Sequence, residues 1–432
     1  MQESQILPGS DMKAKVSWSL FDFANSAFTT VVITFVFAAY FAAEIAPTEE
    51  IGARWWGWCM AGSGLVIAIL SPVLGAIADH TGCRKPWIFV FTLMCVVPSF
   101  ALWWIQPAVD GGISQMQMMV IAIVLVGIAN VGFEMGSVFN NSMLPDIAPK
   151  STIGRWSGFA WGIGYLGGLA CLMICLFVFI DPKPALFGLN TELGEQIRIT
   201  SPFIAIWMTV FTIPMFLFTP DRPRGSVTYG QAISTGIRSL GETLVNVRKN
   251  ANLFRFLISH MFYRDGLNTL LQMGGLFAAA VYGLSFSELI QFAIILNVTA
   301  ALGAFIFAWA DDKFGSKPVI FISILCLIIA AIPLLAASSK LIFYISASTL
   351  GLFVGSIQAS SRTMIGRLAP ADKVTETYGL FAFSGKSSAF IGPLLVGELT
   401  NLYGHRIGMA SLVIFLVIGL ALLWKVTDKQ TV

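Results

Sequence analysis

Twelve stretches of the chain stay apolar long enough to cross the roughly 30 Å hydrocarbon core of a bilayer, which takes about 20 helical residues. They fall near 15–43, 55–78, 86–106, 116–140, 156–180, 202–219, 254–282, 288–310, 317–337, 341–362, 376–398 and 406–425. Charged residues are confined almost wholly to the gaps. None of the runs alternates with the two-residue period of a membrane β-strand. A backbone in lipid must satisfy its own hydrogen bonds, so each run is expected to be a helix. The longest polar gap, about Pro220 to Asn252, divides the runs six and six. Within it Ile233, Ile237, Leu240, Leu244 and Val247 recur at helical spacing. That pattern predicts an amphipathic helix lying on the membrane surface between the halves.

The two sets of six repeat one another. Asp22, Asn25 and Ser26 in the first run match Asp265, Asn268 and Thr269 in the seventh. Asp79, Gly82, Lys85 and Pro86 after the second run match Asp312, Gly315, Lys317 and Pro318 after the eighth. Met143, Ala148, Pro149 and Gly158 match Met364, Ala369, Pro370 and Gly379 without a gap. Three matches in the same order, each at the same helix number, predict parallel repeats with a solute site near the midplane between them. The expected organisation is an all-α membrane protein of twelve transmembrane helices in two pseudo-symmetric six-helix bundles. Residues 1–220 and 253–432 form the bundles and 221–252 the amphipathic linker.

Composition removes the soluble alternatives. Of 432 residues, 56% are hydrophobic and 11% charged, whereas soluble chains carry about a quarter charged. A net charge of +3 is too small a bias for a nucleic-acid partner. With the N-terminus placed inside, nineteen Lys and Arg fall in inside segments and five in outside ones. Both termini are therefore expected in the cytoplasm. The first apolar run is too long for a signal-peptide core and lacks a cleavage site after it. The six cysteines lie mainly in apolar runs and the three histidines form no ligand spacing with them, so no metal, disulfide framework or cofactor is expected. The glycines of 162–168 follow no strand and have no Walker pattern, so they are read as close helix packing rather than a nucleotide loop. No enzyme is expected.

Gly75, Asp79, His80, Gly82, Cys83, Arg84 and Lys85 resemble the loop motif of the major facilitator superfamily, with His80 and Cys83 standing where arginines are usual. A narrower resemblance is carried by Trp18 to Phe28 with Asp22 and Asn25, Asn141 to Asp146, Tyr263 to Gly266, and Phe383 to Lys386. These segments resemble the autophagy-related vacuolar amino-acid effluxers and their bacterial relatives. The resemblance implies the major facilitator fold and a monomeric carrier of a small-molecule substrate, an amino acid or related metabolite. It also implies helices 1 and 7 lining a central cavity. Short loops favour the cell (inner) membrane over a vacuole. A channel, an uncoupled facilitator and a receptor without transport are the competing classes.

Ionisable groups at membrane depth cost roughly 2.5–3.5 kcal/mol by insertion scales, so they mark function or pairing. Asp22, Glu134 and Asp265 are the candidates for proton coupling, with protons as the coupling ion. Asn25, Ser26, Thr29, Asn130, Arg264, Asn268, Gln272, Gln358 and Lys386 are the candidates for the cavity lining. Lys386 is open to a substrate carboxylate or to any of the three acids. Gly75, Asp79, Gly82, Arg84 and Lys85 are expected to gate the cytoplasmic end. Asp312, Gly315 and Lys317 are expected to do so less well, because the second copy lacks the Arg-Lys pair.

Overall fold

The computed structural model describes residues 6–107, 112–182, 184–225, 229–247 and 250–427. Lys183, Arg248, Lys249 and Lys429 of the charge count, and the side chains of Leu244 and Val247 in the linker, lie outside the described residues. Twelve long helices follow one another: α1 Met12–Ile45, α2 Glu49–Thr81, α3 Lys85–Trp104, α4 Gln115–Ile147, α5 Ile153–Ile180, α6 Glu195–Phe218, α7 Ala251–Tyr282, α8 Phe286–Phe314, α9 Ser316–Ala336, α10 Lys340–Leu368, α11 Val374–Tyr403 and α12 His405–Trp424. A thirteenth, the linker helix Tyr229–Val247, joins α6 to α7. Eleven of the twelve are long and apolar enough to cross a membrane. α7 matches them in length and packs on α10, α11 and α12.

Local chemistry sets the helix ends. Asp11, Thr48 and Asn250 accept backbone N–H bonds at the starts of α1, α2 and α7. Ser114 with Gln117 and Ser285 with Glu288 form capping boxes on α4 and α8. Gly82 and Gly315 end α2 and α8 at φ of +83° and +92°, a conformation L side chains rarely adopt. Several helices run further than their apolar stretches. α4 extends to Ile147 and α10 to Leu368, because the charged residues in those extra turns are buried against partners rather than left in water. The linker packs against the end of α2, where Gly236 leaves no room for a Cβ beside Ile77.

Each bundle has its own apolar interior. The core of α7–α12 is built from its own residues apart from Val138 of α4. Two clusters fill α1–α6. Outward, Leu65, Val97, Leu217 and Ile332 are each at least 60% exposed, as expected of side chains facing lipid. The glycine run of α5 lies on α1: a Cβ at Gly167 would stand 2.4 Å from Phe23 O, and one at Gly164 3.0 Å from Ser26 Oγ.

The bundles meet through two repeat-related pairs, α2 with α11 and α5 with α8. A Cβ at Gly379 would lie 2.3 Å from Ser71 O, and one at the repeat mate Gly158 would lie 2.4 Å from Ala304 O. Ser71 also donates to Gly379 O at 3.0 Å. Gly379→Val should therefore hold this end of the molecule open. A cysteine placed at Ser71, fully buried here, should then react with a maleimide in the folded protein. Unchanged labelling would contradict a tight α2–α11 seam.

Candidate transport site

Polar contacts between the bundles form three tiers, counted inward from the face that carries the linker helix. On that linker face the Asp79 carboxylate accepts from the backbone N–H of Thr375 at 3.0 Å and of Glu376 at 2.8 Å, at the start of α11. Asp312 does the same to α5, accepting from Gly154 at 2.7 Å and Arg155 at 3.1 Å. Each acid thus sits on the positive end of a helix in the opposite bundle. Arg84 is buried, donates to Thr375 Oγ1 at 2.9 Å, pairs with Asp146 and stands 3.9 Å from Asp79. Arg222 of the linker grips Asp146 with two bonds of 2.7 and 2.8 Å and reaches Ala371 O. Burial disfavours its charge, but the bonds to Asp146 outweigh that and raise its pKa. On the other side Arg367 pairs with Asp311 at 2.7 Å, and Arg155 with Asp312 at 3.0 Å. Asp146 and Arg367 are repeat mates of opposite charge.

This corrects two expectations. Asp312 is engaged as fully as Asp79, because Arg155 and Arg367 supply the cations that its own loop lacks. The contacts of Lys85 and Lys317 with described residues lie within their own bundles. Lys85 donates to Phe216 O at 2.8 Å at the end of α6, and Lys317 to Trp424 O at 2.9 Å at the end of α12. Both bind helix C-termini within their own bundle, where a cation is favoured. Gly75 lies in the seam, its missing Cβ 2.6 Å from Thr375 O.

The second tier is about 8 Å further in, five helical residues before Arg367. Arg362 of α10 reaches into the first bundle, to Asp22 at 2.6 Å, Asn141 Oδ1 at 2.9 Å and Ser157 Oγ at 2.9 Å. Its guanidinium lies against the rings of Trp18 and Trp161. Sequence reasoning placed Arg362 among the loop charges, yet its side chain is 3% exposed. One signal was available: Arg362 is the repeat mate of Asn141, the residue it bonds.

The third tier is about 17 Å inward along α11 from Thr375. Here Lys386 meets Glu134 of α4 at 2.5 Å, both about one quarter exposed. Tyr165 of α5 donates to Gln358 of α10 at 3.1 Å. Lys386 ends the first segment of α11, which breaks at 387–390 before resuming at Ile391. The ammonium thus sits at the negative end of a half-helix. Among the described residues, no hydrogen bond or ion pair joins the bundles further from the linker face.

The remaining candidates separate. Asn25 bonds Ser137 at 2.8 Å and Asn130 bonds Ser63 at 2.8 Å, both inside the first bundle. Ser26 and Thr29 remain partly exposed on α1, Asn268 is partly exposed on α7 and Gln272 is exposed there. Asp265 departs from its expected place. It is fully buried beside Gly392 of α11, so it does not line the space between the bundles. Helical geometry gives the reason: neighbours in sequence project about 100° apart, and Arg264 takes the inward direction. Asp146 was marked only as the end of a family-like segment, and Arg222, Asp311, Arg367, Thr375 and Glu376 were not singled out, since nothing local tells which groups meet across a bundle interface.

A profile of the family described as "vacuole effluxer Atg22 like" matches residues 59–431. The chain belongs to that family. It is 28% identical over 424 residues to the "uncharacterized MFS-type transporter YxiO" of Bacillus subtilis, covering 97% of this chain and 96% of that one. It is 24% identical to autophagy-related protein 22 of Coccidioides immitis, over 82% of this chain and 69% of the relative. Among solved structures it superposes on the proton:xylose symporter XylE with a TM-score of 0.73 at 15% identity, covering 96% and 95% of the two chains. It matches the transporter FucP, in an outward conformation, with a TM-score of 0.73 at 11% identity, covering 98% and 100%. The fold is that of the major facilitator superfamily, and the protein is a multi-pass membrane transporter rather than an enzyme.

Proposed function

We propose that this transporter carries an amino acid or related small metabolite across the cell membrane by alternating access coupled to protons. The linker face is cytoplasmic, and residues 1–220 and 253–432 rock as two bodies joined by 221–252. The observation that carries this reading is the Lys386–Glu134 pair, a salt bridge between bundles at mid-membrane depth beside a helix break. An ion pair in that place joins three things: closure of the bundles, a protonatable acid and a cation available to solute.

The three tiers close the linker face, so solute enters from the opposite face. Protonation of Glu134 removes the countercharge of Lys386 and releases the ammonium toward the solute. Loss of that proton re-forms the pair and expels the solute. Proton and solute therefore travel together. Asp22, held by Arg362 one tier outward, links the same event to the gate. Asp265 has no part in this route.

Counterflow in proteoliposomes tests the carrier, because a carrier exchanges solute and a channel does not. Accumulation driven by an imposed pH gradient tests the coupling. If no solute among amino acids, peptides and sugars exchanges, the reading falls. Orientation has its own check: Cys83, partly exposed on the linker face, should react with an impermeant maleimide only after cells are permeabilised. Asp79→Asn removes the anion from the start of α11 and should raise labelling of a Ser71→Cys reporter about threefold to tenfold, for a loss of roughly 1 kcal/mol. Unchanged labelling would show that Asp79 does not hold the gate.

A further inference from the structure

We infer that the transported solute carries a carboxylate and that Arg264 of α7 receives it; this rests on the transport reading above. The charges at mid-depth do not balance. Asp22 is taken by Arg362 and Glu134 by Lys386. Arg264 is partly exposed and forms no ion pair with any described residue. Asp265, its neighbour in sequence, is buried away from it against Gly392. One guanidinium therefore stands without a carboxylate partner in a membrane interior, where arginine is always charged and an unmatched charge is costly.

The Arg264 stem lies along α11 at Gly385, where an added Cβ would be 3.4 Å from Arg264 Cγ. The next residue is Lys386, whose ammonium is already balanced by Glu134. Because Lys386 joins the bundles, the Arg264 stem lies beside the interface that opens and closes.

Tyr165 already donates to Gln358. The indole N–H of Trp161, one turn from Tyr165, has no acceptor. The Arg264 guanidinium offers donors only, so a ligand that brings acceptors complements it. A carboxylate supplies two oxygens, and its geometry matches the guanidinium fork. A neutral sugar would bring as many donors as acceptors, and an amine would meet like charge.

Thermal stabilisation of the detergent-purified, full-length protein provides the test. The probes are the twenty amino acids, their amides, the corresponding deaminated acids, and a set of sugars and amines. The expected result is stabilisation by at least one carboxylate, with its amide bound on the order of 100-fold more weakly. In Arg264→Gln that preference should fall to a few-fold, and Arg264→Lys should recover part of it. Tighter binding of the amino acid than of its deaminated acid assigns a zwitterion; the reverse assigns a simple carboxylate. The inference is overturned if only sugars or amines bind, if nothing binds, if amides bind as well as acids, or if Arg264→Gln keeps the preference. Counterflow of the stabilising solute separates the two readings. Binding without exchange sinks the transporter and leaves the anion site standing. Exchange of a neutral solute does the opposite.

Discussion

Glu134→Gln should leave solute exchange within about threefold of wild type and abolish accumulation against a gradient. A difference of one pH unit across the membrane is worth about 1.4 kcal/mol per proton, which sets accumulation at about tenfold for one coupled proton. The glutamine keeps the size of the side chain but has neither a charge to hold Lys386 nor a proton to lose. Lys386 is then permanently released, so the solute binds and crosses in both directions without regard to pH. Accumulation should drop from about tenfold to none. Wild-type protein that ignores the pH gradient under every ionic condition would end the coupling proposal and make Glu134 structural. A mutant that still accumulates would move the coupling to Asp22, where Asp22→Asn is the decisive variant.

Arg362→Ala should shift the molecule strongly toward an open linker face. Arg362 holds Asp22, Asn141 and Ser157 across the interface from a nearly fully buried position. Removing one member of a buried pair costs about 3–5 kcal/mol because the partner is left charged and unmatched. Even about half of that changes a two-state ratio by tens-fold. The Ser71→Cys reporter should therefore label far faster in Arg362→Ala than in the parent. The double variant Asp22→Asn with Arg362→Ala should recover much of the loss, since neither charge then remains unpaired. Equal labelling in all three proteins would show that this tier does not hold the gate. A double variant no better than Arg362→Ala would assign the effect to lost packing against Trp18 and Trp161.

The gate shows where reading a sequence succeeds and where it stops. Gly75, Asp79, Gly82 and Arg84 were legible through their resemblance to the superfamily loop motif, and Asp79 and Gly82 also because they repeat at Asp312 and Gly315. Lys85 and Lys317 were legible as a pair but not by destination, since a lysine near a helix end serves either a loop partner or a carbonyl cluster. Arg362 was missed because it closes an apolar run, where a charge ordinarily marks the edge of the membrane. Its burial depends on Asp22, Asn141 and Ser157, which lie some 200 to 340 residues away along the chain. Asp22 and Asp265 are repeat mates with different surroundings, so symmetry did not transfer the role.

By itself the sequence determined the membrane, the helices, their division into two sets of six and the repeat relating them. Those follow from hydropathy and local order, because lipid imposes the same demand on every segment: cover the backbone and face outward with apolar groups. The pairing of charges was decided by the tertiary structure alone. Lys386 had three acids open to it and Arg264 two directions, and both choices depend on how α4, α5, α7 and α11 converge. A charge in a low-dielectric interior is governed by whatever lies within a few ångströms, and those neighbours come from distant parts of the chain.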